Sequence, residues 1–154
     1  MRFNRITGRS LLFRRRAGSA TLEASIVLMI FFLLAFGTVE FGYYLFVKHS
    51  LQGAAREGCR AAILPNQGDA AARTEVIRYL TLAGLNTSNS ALDSKWTVTI
   101  SPSADTAASG TAITVTIQGA WATIGANMRP MRLLKDPAGG QRMVSGTCVM
   151  RKEG

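Results

Sequence analysis

Gly18 and Glu23 are separated by Ser19, Ala20, Thr21 and Leu22, so that a carboxylate follows a glycine by five positions just before a long apolar stretch. A carboxylate at the start of a helix is favoured by the helix dipole by roughly 0.3 to 1 kcal/mol. A charge favourably placed at a helix start is the chemistry that this spacing offers by itself. The other reactive residues are scattered. His49 is the single histidine, with neither acid nor nucleophile near it, and it reads as an interfacial residue beside Lys48 rather than a general base. Cys59 and Cys148 are too few for the clusters that zinc or iron sites use. Serines and threonines abound, but neither G-x-S-x-G nor S-x-x-K occurs, and no glycine-rich loop follows a strand and opens a helix. The sequence thus reads as a non-enzyme, with no catalytic residues, no metal, no cofactor and no small-molecule substrate.

The element that must position Glu23 is the run behind it. Ala24 to Val47 contains one charge, Glu40, and as a helix would reach roughly 36 Å, against a hydrocarbon core of roughly 30 Å. Fourteen of these residues are Leu, Ile, Val or Phe. Each contributes about −0.3 to −0.6 kcal/mol to insertion, while an acid at mid-helix costs about +2.5 to +3.5 kcal/mol. The apolar sum wins, and Glu40 lies near the far end, where it is expected to face a basic group or water. A secretory signal peptide has a shorter apolar region than this one.

The chain of 154 residues has 18 Lys and Arg against 9 Asp and Glu, a formal charge of +9. The excess is local, because Arg2, Arg5, Arg9, Arg14, Arg15 and Arg16 precede the span, leaving 12 basic and 9 acidic groups behind them. A basic nucleic-acid-binding face on the folded part is not supported. Lys48, Arg56 and Arg60 follow the span, so the charge bias predicts a cytoplasmic N-terminus, with Tyr43 and Tyr44 at the outer interface.

Beyond Lys48, residues 51, 54, 55, 58, 59 and 62 are small or apolar and form one helical stripe, with Glu57 set to pair with Arg60. The membrane helix is expected to continue to Pro65. A second helix is expected from Asp69 as N-cap to Gly84 as C′, with Ala72, Val76, Ile77, Leu80 and Ala83 on one face. The period then changes from 3.6 to 2. Trp96, Val98 and Ile100, and then Ile113, Val115 and Ile117, alternate with threonines as a hairpin around a loop of Pro102 to Gly110. Val144, Gly146, Cys148 and Met150 share a face of a last strand, and Trp121 to Gly140 reads as a loop with a helical turn. The fold class is α+β: a long N-terminal transmembrane helix continuing into a small extracytoplasmic head with a second helix and a short antiparallel sheet.

These residues carry a resemblance. Gly18 to Glu23 looks like a class III (type IV prepilin) leader. With the apolar span, Phe36-Gly37-Thr38-Val39-Glu40-Phe41-Gly42, and Ala54-Ala55-Arg56-Glu57-Gly58-Cys59-Arg60-Ala61-Ala62, it resembles the TadE-like pseudopilins of the tight-adherence (Flp-type pilus) machinery. The likeness is strongest over residues 17 to 64. Ala24 departs from it where an aromatic often follows the glutamate, and Cys59 where a small residue such as alanine is usual. The resemblance implies a minor pilin-like subunit of the bacterial inner membrane that helps assemble a pilus or a related secretion apparatus. Its partners would be the lipid bilayer, a prepilin peptidase cutting between Gly18 and Ser19, other pilin-like subunits and the pilus assembly platform. Glu23 would meet the new Ser19 ammonium of a neighbouring subunit, with Glu40 a weaker companion in assembly. The chain then divides into a basic leader (1–18), a transmembrane helix with its continuation (19–64) and a periplasmic α+β head (65–154). The alternative is a single-pass anchor, never processed, that carries an extracytoplasmic binding module. Topology leaves Cys59 and Cys148 two readings, a disulfide in an oxidising periplasm or two separate buried apolar residues.

Overall fold

The computed structural model describes residues 10–65, 67–124 and 140–153, with side chains from Ser19 onward apart from those same gaps. The first helix, α1, is Ser10–Ile63. It is followed by α2 (Asp69–Leu82), β1 (Trp96–Ser101), β2 (Ala112–Ala120), the short α3 (Trp121–Ile124) and β3 (Met143–Arg151). The architecture is α+β, with a three-stranded antiparallel sheet in the order β1-β2-β3. Contacts divide the chain into two compact units, one up to Val39 and the other from Glu40.

In the first unit the described large apolar side chains are exposed all round the helix. Leu22, Ile26, Val27, Met29 and Leu34 are all more than half exposed, and the apolar window of this helix is 0% buried. The buried core helix of a globular protein would show the reverse, so an all-round apolar surface marks a helix suited to lipid. Ser19–Val39 alone would extend about 31 Å as α-helix, close to the hydrocarbon thickness. Two of its hydroxyls are satisfied from within: Ser25 donates to the Thr21 carbonyl and Thr38 to that of Leu34, each at 2.8 Å. Such bonds suit a hydroxyl to an apolar surrounding.

In the second unit, the stripe expected from spacing is the inner face of α1. Leu51, Ala54, Ala55, Gly58, Cys59 and Ala62 are all buried. Their small size sets how closely α2 and the sheet approach, since a methyl group added at Gly58 would come within 2.7 Å of Val76 Cγ2 and 3.4 Å of Val115 Cγ1. The core adds Val76, Leu80, Trp96, Val98, Val115, Ile117, Trp121 and Val144. On the outer face, Arg60 Nε pairs with Glu57 Oε2 at 2.9 Å. The pair is largely exposed and contributes only about 0.3 kcal/mol.

Both sheet edges are held by helix side chains. Gln52 donates to the Thr147 carbonyl at 2.7 Å and accepts from the Thr147 N–H at 3.3 Å, which covers the open side of β3. On β1, Arg73 donates to the Val98 carbonyl at 3.2 Å. The C-terminal residues close over the end of α1, where the Glu153 N–H donates to the Ile63 carbonyl at 3.1 Å. That bond satisfies one of the carbonyls a helix end leaves open.

α2 departs from expectation at its start. Gly68 is the N-cap, with extended backbone and no side-chain cap, and Asp69 lies inside the first turn. The Asp69 carboxylate reaches instead to the β1–β2 loop, accepting from the Ala104 N–H at 2.6 Å and the Ser103 hydroxyl at 2.9 Å. The expected cap thus works as a tertiary clamp. At the other end Gly84 has φ +71°, and the Leu85 N–H to Leu80 O and Gly84 N–H to Thr81 O bonds complete a Schellman motif. Asp69→Ala removes two hydrogen bonds to a charged acceptor and is expected to cost about 2 kcal/mol. Urea unfolding followed by tryptophan emission checks this, and an unchanged midpoint would refute the clamp.

The stretch read as a loop with a helical turn opens with α3, and its remainder, 125–139, lies outside the described residues. Trp121 is fully buried. Its ring meets those of Tyr43 and Tyr44 at centroid separations of 5.8 and 5.2 Å.

Candidate functional site

Two groups of residues carry the candidate chemistry. The first lies along α1. Gly18 and Ser19 are helical. Glycine holds a helix weakly, being about 1 kcal/mol poorer than alanine in a helix interior. Glu23 lies one turn beyond Ser19 and is exposed. Among the described residues it makes no ion pair.

Glu40, for which the sequence offers a basic group or water as surroundings, is 0% exposed and enclosed by its own chain in the second unit, and so does not face water. An ionisable side chain in such a place is tolerated when its polar atoms are engaged, and Glu40 is held by an interaction within the chain. Tyr43 and Tyr44, expected at a membrane interface, are half-buried against Trp121. The two glutamates of the apolar run therefore differ in kind: Glu23 is presented outward and Glu40 is built into the head.

The second group is the cysteine pair. α1 places Cys59 on its buried stripe, and the inward alternation of β3 places Cys148 opposite, in register with Val115 of β2. Both are free thiols, Cys59 buried and Cys148 half-buried. The Cys59 thiol donates to the Cys148 carbonyl at 3.1 Å. Burial, reinforced by the side-chain hydrogen bond with Cys148, pushes the Cys59 thiol up to about 12. At neutral pH it is therefore almost wholly protonated and a slow nucleophile.

Sequence reasoning missed Trp121, Gln52 and Arg73. Trp121 sits in an aperiodic stretch, and its size and aromaticity were the only signal of burial. Among the described residues no group of three His, Cys, Asp or Glu could hold a metal ion. His49 is exposed.

Residues 18–60 match the family model described as TadE-like protein. The match begins at Gly18 and ends at Arg60, within the A-A-R-E-G-C-R-A-A run, so it covers the apolar helix and all of the packing stripe but Ala62. The chain matches no curated protein and no solved structure.

Proposed function

We propose that this chain is a minor pilin-like subunit of the bacterial inner membrane that takes part in assembling a tight-adherence (Flp-type) pilus or a related secretion apparatus. The observation that carries the reading is a coincidence of extent. The TadE-like match, 18–60, falls on a helix whose large apolar side chains before Glu40 stand exposed among the described residues. A surface of that kind is suited to lipid and to the helices of other subunits. In this reading the six arginines hold the leader in the cytoplasm and the head stands in the periplasm. A prepilin peptidase cuts between Gly18 and Ser19, and Glu23 meets the freed ammonium of a neighbouring subunit. Glu40 serves assembly indirectly, by fixing the part of α1 from which the head is built.

Leader removal is the test. Intact-mass analysis of the membrane-extracted protein is expected to show a chain beginning at Ser19 when the peptidase is present and at Met1 when it is deleted. Gly18→Val is expected to block processing in the first strain. Retention of residues 1–18 in the presence of active peptidase would sink the pilin reading and leave a single-pass anchor carrying a binding module.

A further inference from the structure

We propose that Cys59 and Cys148 form an intramolecular disulfide after the head has folded, fastening β3 to the helix that leaves the membrane. The inference rests on the extracytoplasmic placement of the head, because only there is a disulfide-bearing oxidant at hand. Its geometric basis is independent of that placement. The two residues are 89 positions apart in sequence, yet the Cys59 thiol donates to the Cys148 carbonyl at 3.1 Å. Their carriers are held in place on either side. Gly146, two residues before Cys148, packs directly on the Leu51–Gln52 backbone, and Gln52 clasps Thr147. β3 thus meets α1 along a fixed line, and the thiols are brought together by the fold rather than by a mobile loop.

Exposure sets the order of events. Cys148 is half-buried and Cys59 fully buried, so an external oxidant meets Cys148 first. The Cys148 thiol loses its proton to water, and its thiolate attacks one sulfur of a disulfide, RSSR. A Cys148–SR mixed disulfide forms and one RS⁻ leaves. Cys59 then gives up its proton, and its thiolate attacks Cys148 Sγ, forming the Cys59–Cys148 bond and expelling the second RS⁻. The net reaction converts two cysteine thiols and RSSR into one protein disulfide and two RSH. The second step is slow, because Cys59 holds its proton tightly until the mixed disulfide beside it offers a leaving group.

The bridge would close nearly the whole head into one covalent loop, a constraint that small extracytoplasmic domains commonly use. It would also keep the sheet on α1 while the membrane helix is pulled or packed sideways by its neighbours.

The experiment uses the full chain, purified reduced in detergent and treated with oxidised glutathione. Free thiols are alkylated in denaturant and the peptides mapped. The expected result is loss of both alkylatable thiols, one peptide joining Cys59 to Cys148 within a monomer, and a thermal midpoint about 10 °C above that of the reduced protein. Cys148→Ser should fold and leave Cys59 alkylatable. Two free thiols, a lasting glutathione adduct on Cys148, or a disulfide-linked dimer would each overturn the proposal. A parallel sample is acid-quenched in cells and alkylated before extraction. A bridge in that sample supports both the bond and the placement of the head. A bridge formed by glutathione in detergent but absent from cells overturns the bond as a cellular event and puts the fault in the topology, not in the geometry.

Discussion

Gly146→Val is expected to unfold the head or to lower its stability by at least about 3 kcal/mol, the largest effect of any single substitution in the sheet. A Cβ at position 146 would run into the Leu51 backbone carbon and oxygen and come within 2.6 Å of the Gln52 nitrogen. Overpacking ordinarily costs about 1 to 3 kcal/mol because neighbouring side chains can turn away. These atoms are main chain of an α-helix and cannot. To admit the methyl groups, β3 must lift from α1, and the Gln52 clasp on Thr147 and the burial of Val144 and Cys59 go with it. Val149→Thr on the exposed face of the same strand is the control, expected within about 0.5 kcal/mol of the parent. Trp96 and Trp121 are both buried in the head, so tryptophan emission during urea unfolding reports on both variants. A Gly146→Val protein with the parent's midpoint would mean that the sheet is not seated on Leu51 and Gln52.

What could be read from the sequence divides along a physical line. Features that repeat at a fixed period were legible. The small-residue stripe from Leu51 to Ala62 was one, and so were the alternating faces of β1, β2 and β3 and the glycine stop at Gly84. Each is a local pattern in which every residue restates the same face. The features that fix one element against another were not legible, because a single residue carries each of them. Gln52 meets a strand 95 residues away, and Asp69 turns from its own helix end to a loop 35 residues away. Glu40 is enclosed although its neighbours in sequence are exposed apolar residues. Glu40 belongs to the side of α1 that the head covers. Only the tertiary structure shows which side that is, since the flanking Val39 and Phe41 are as apolar as any core residue and are both more than half exposed.

Glu23→Gln is expected to spare membrane insertion and leader removal while cutting crosslinked assembly with partner subunits about tenfold, the equivalent of ~1.4 kcal/mol. Glutamine keeps the shape and helix propensity of glutamate and removes only the charge. Insertion is driven by the apolar residues that follow, so it should not suffer. On the proposed pairing, what disappears is the partner of an ammonium. In low dielectric an unpaired charge is costly and a matched pair is not, so the loss should appear in association alone. Glu40→Gln supplies the contrast. Its carboxylate is enclosed by its own chain, and a change there removes an interaction made inside the head. It should therefore lower the unfolding free energy of the isolated subunit by about 1 to 3 kcal/mol, read as a lower urea midpoint, before it affects any contact between subunits. Site-specific crosslinking from positions in α1 before Val39, run beside urea unfolding on both variants, separates the two roles. If crosslinking were undiminished in Glu23→Gln and lost in a Glu40→Gln protein of unaltered stability, the assembly charge would lie at Glu40 and the pairing assigned to Glu23 would be wrong.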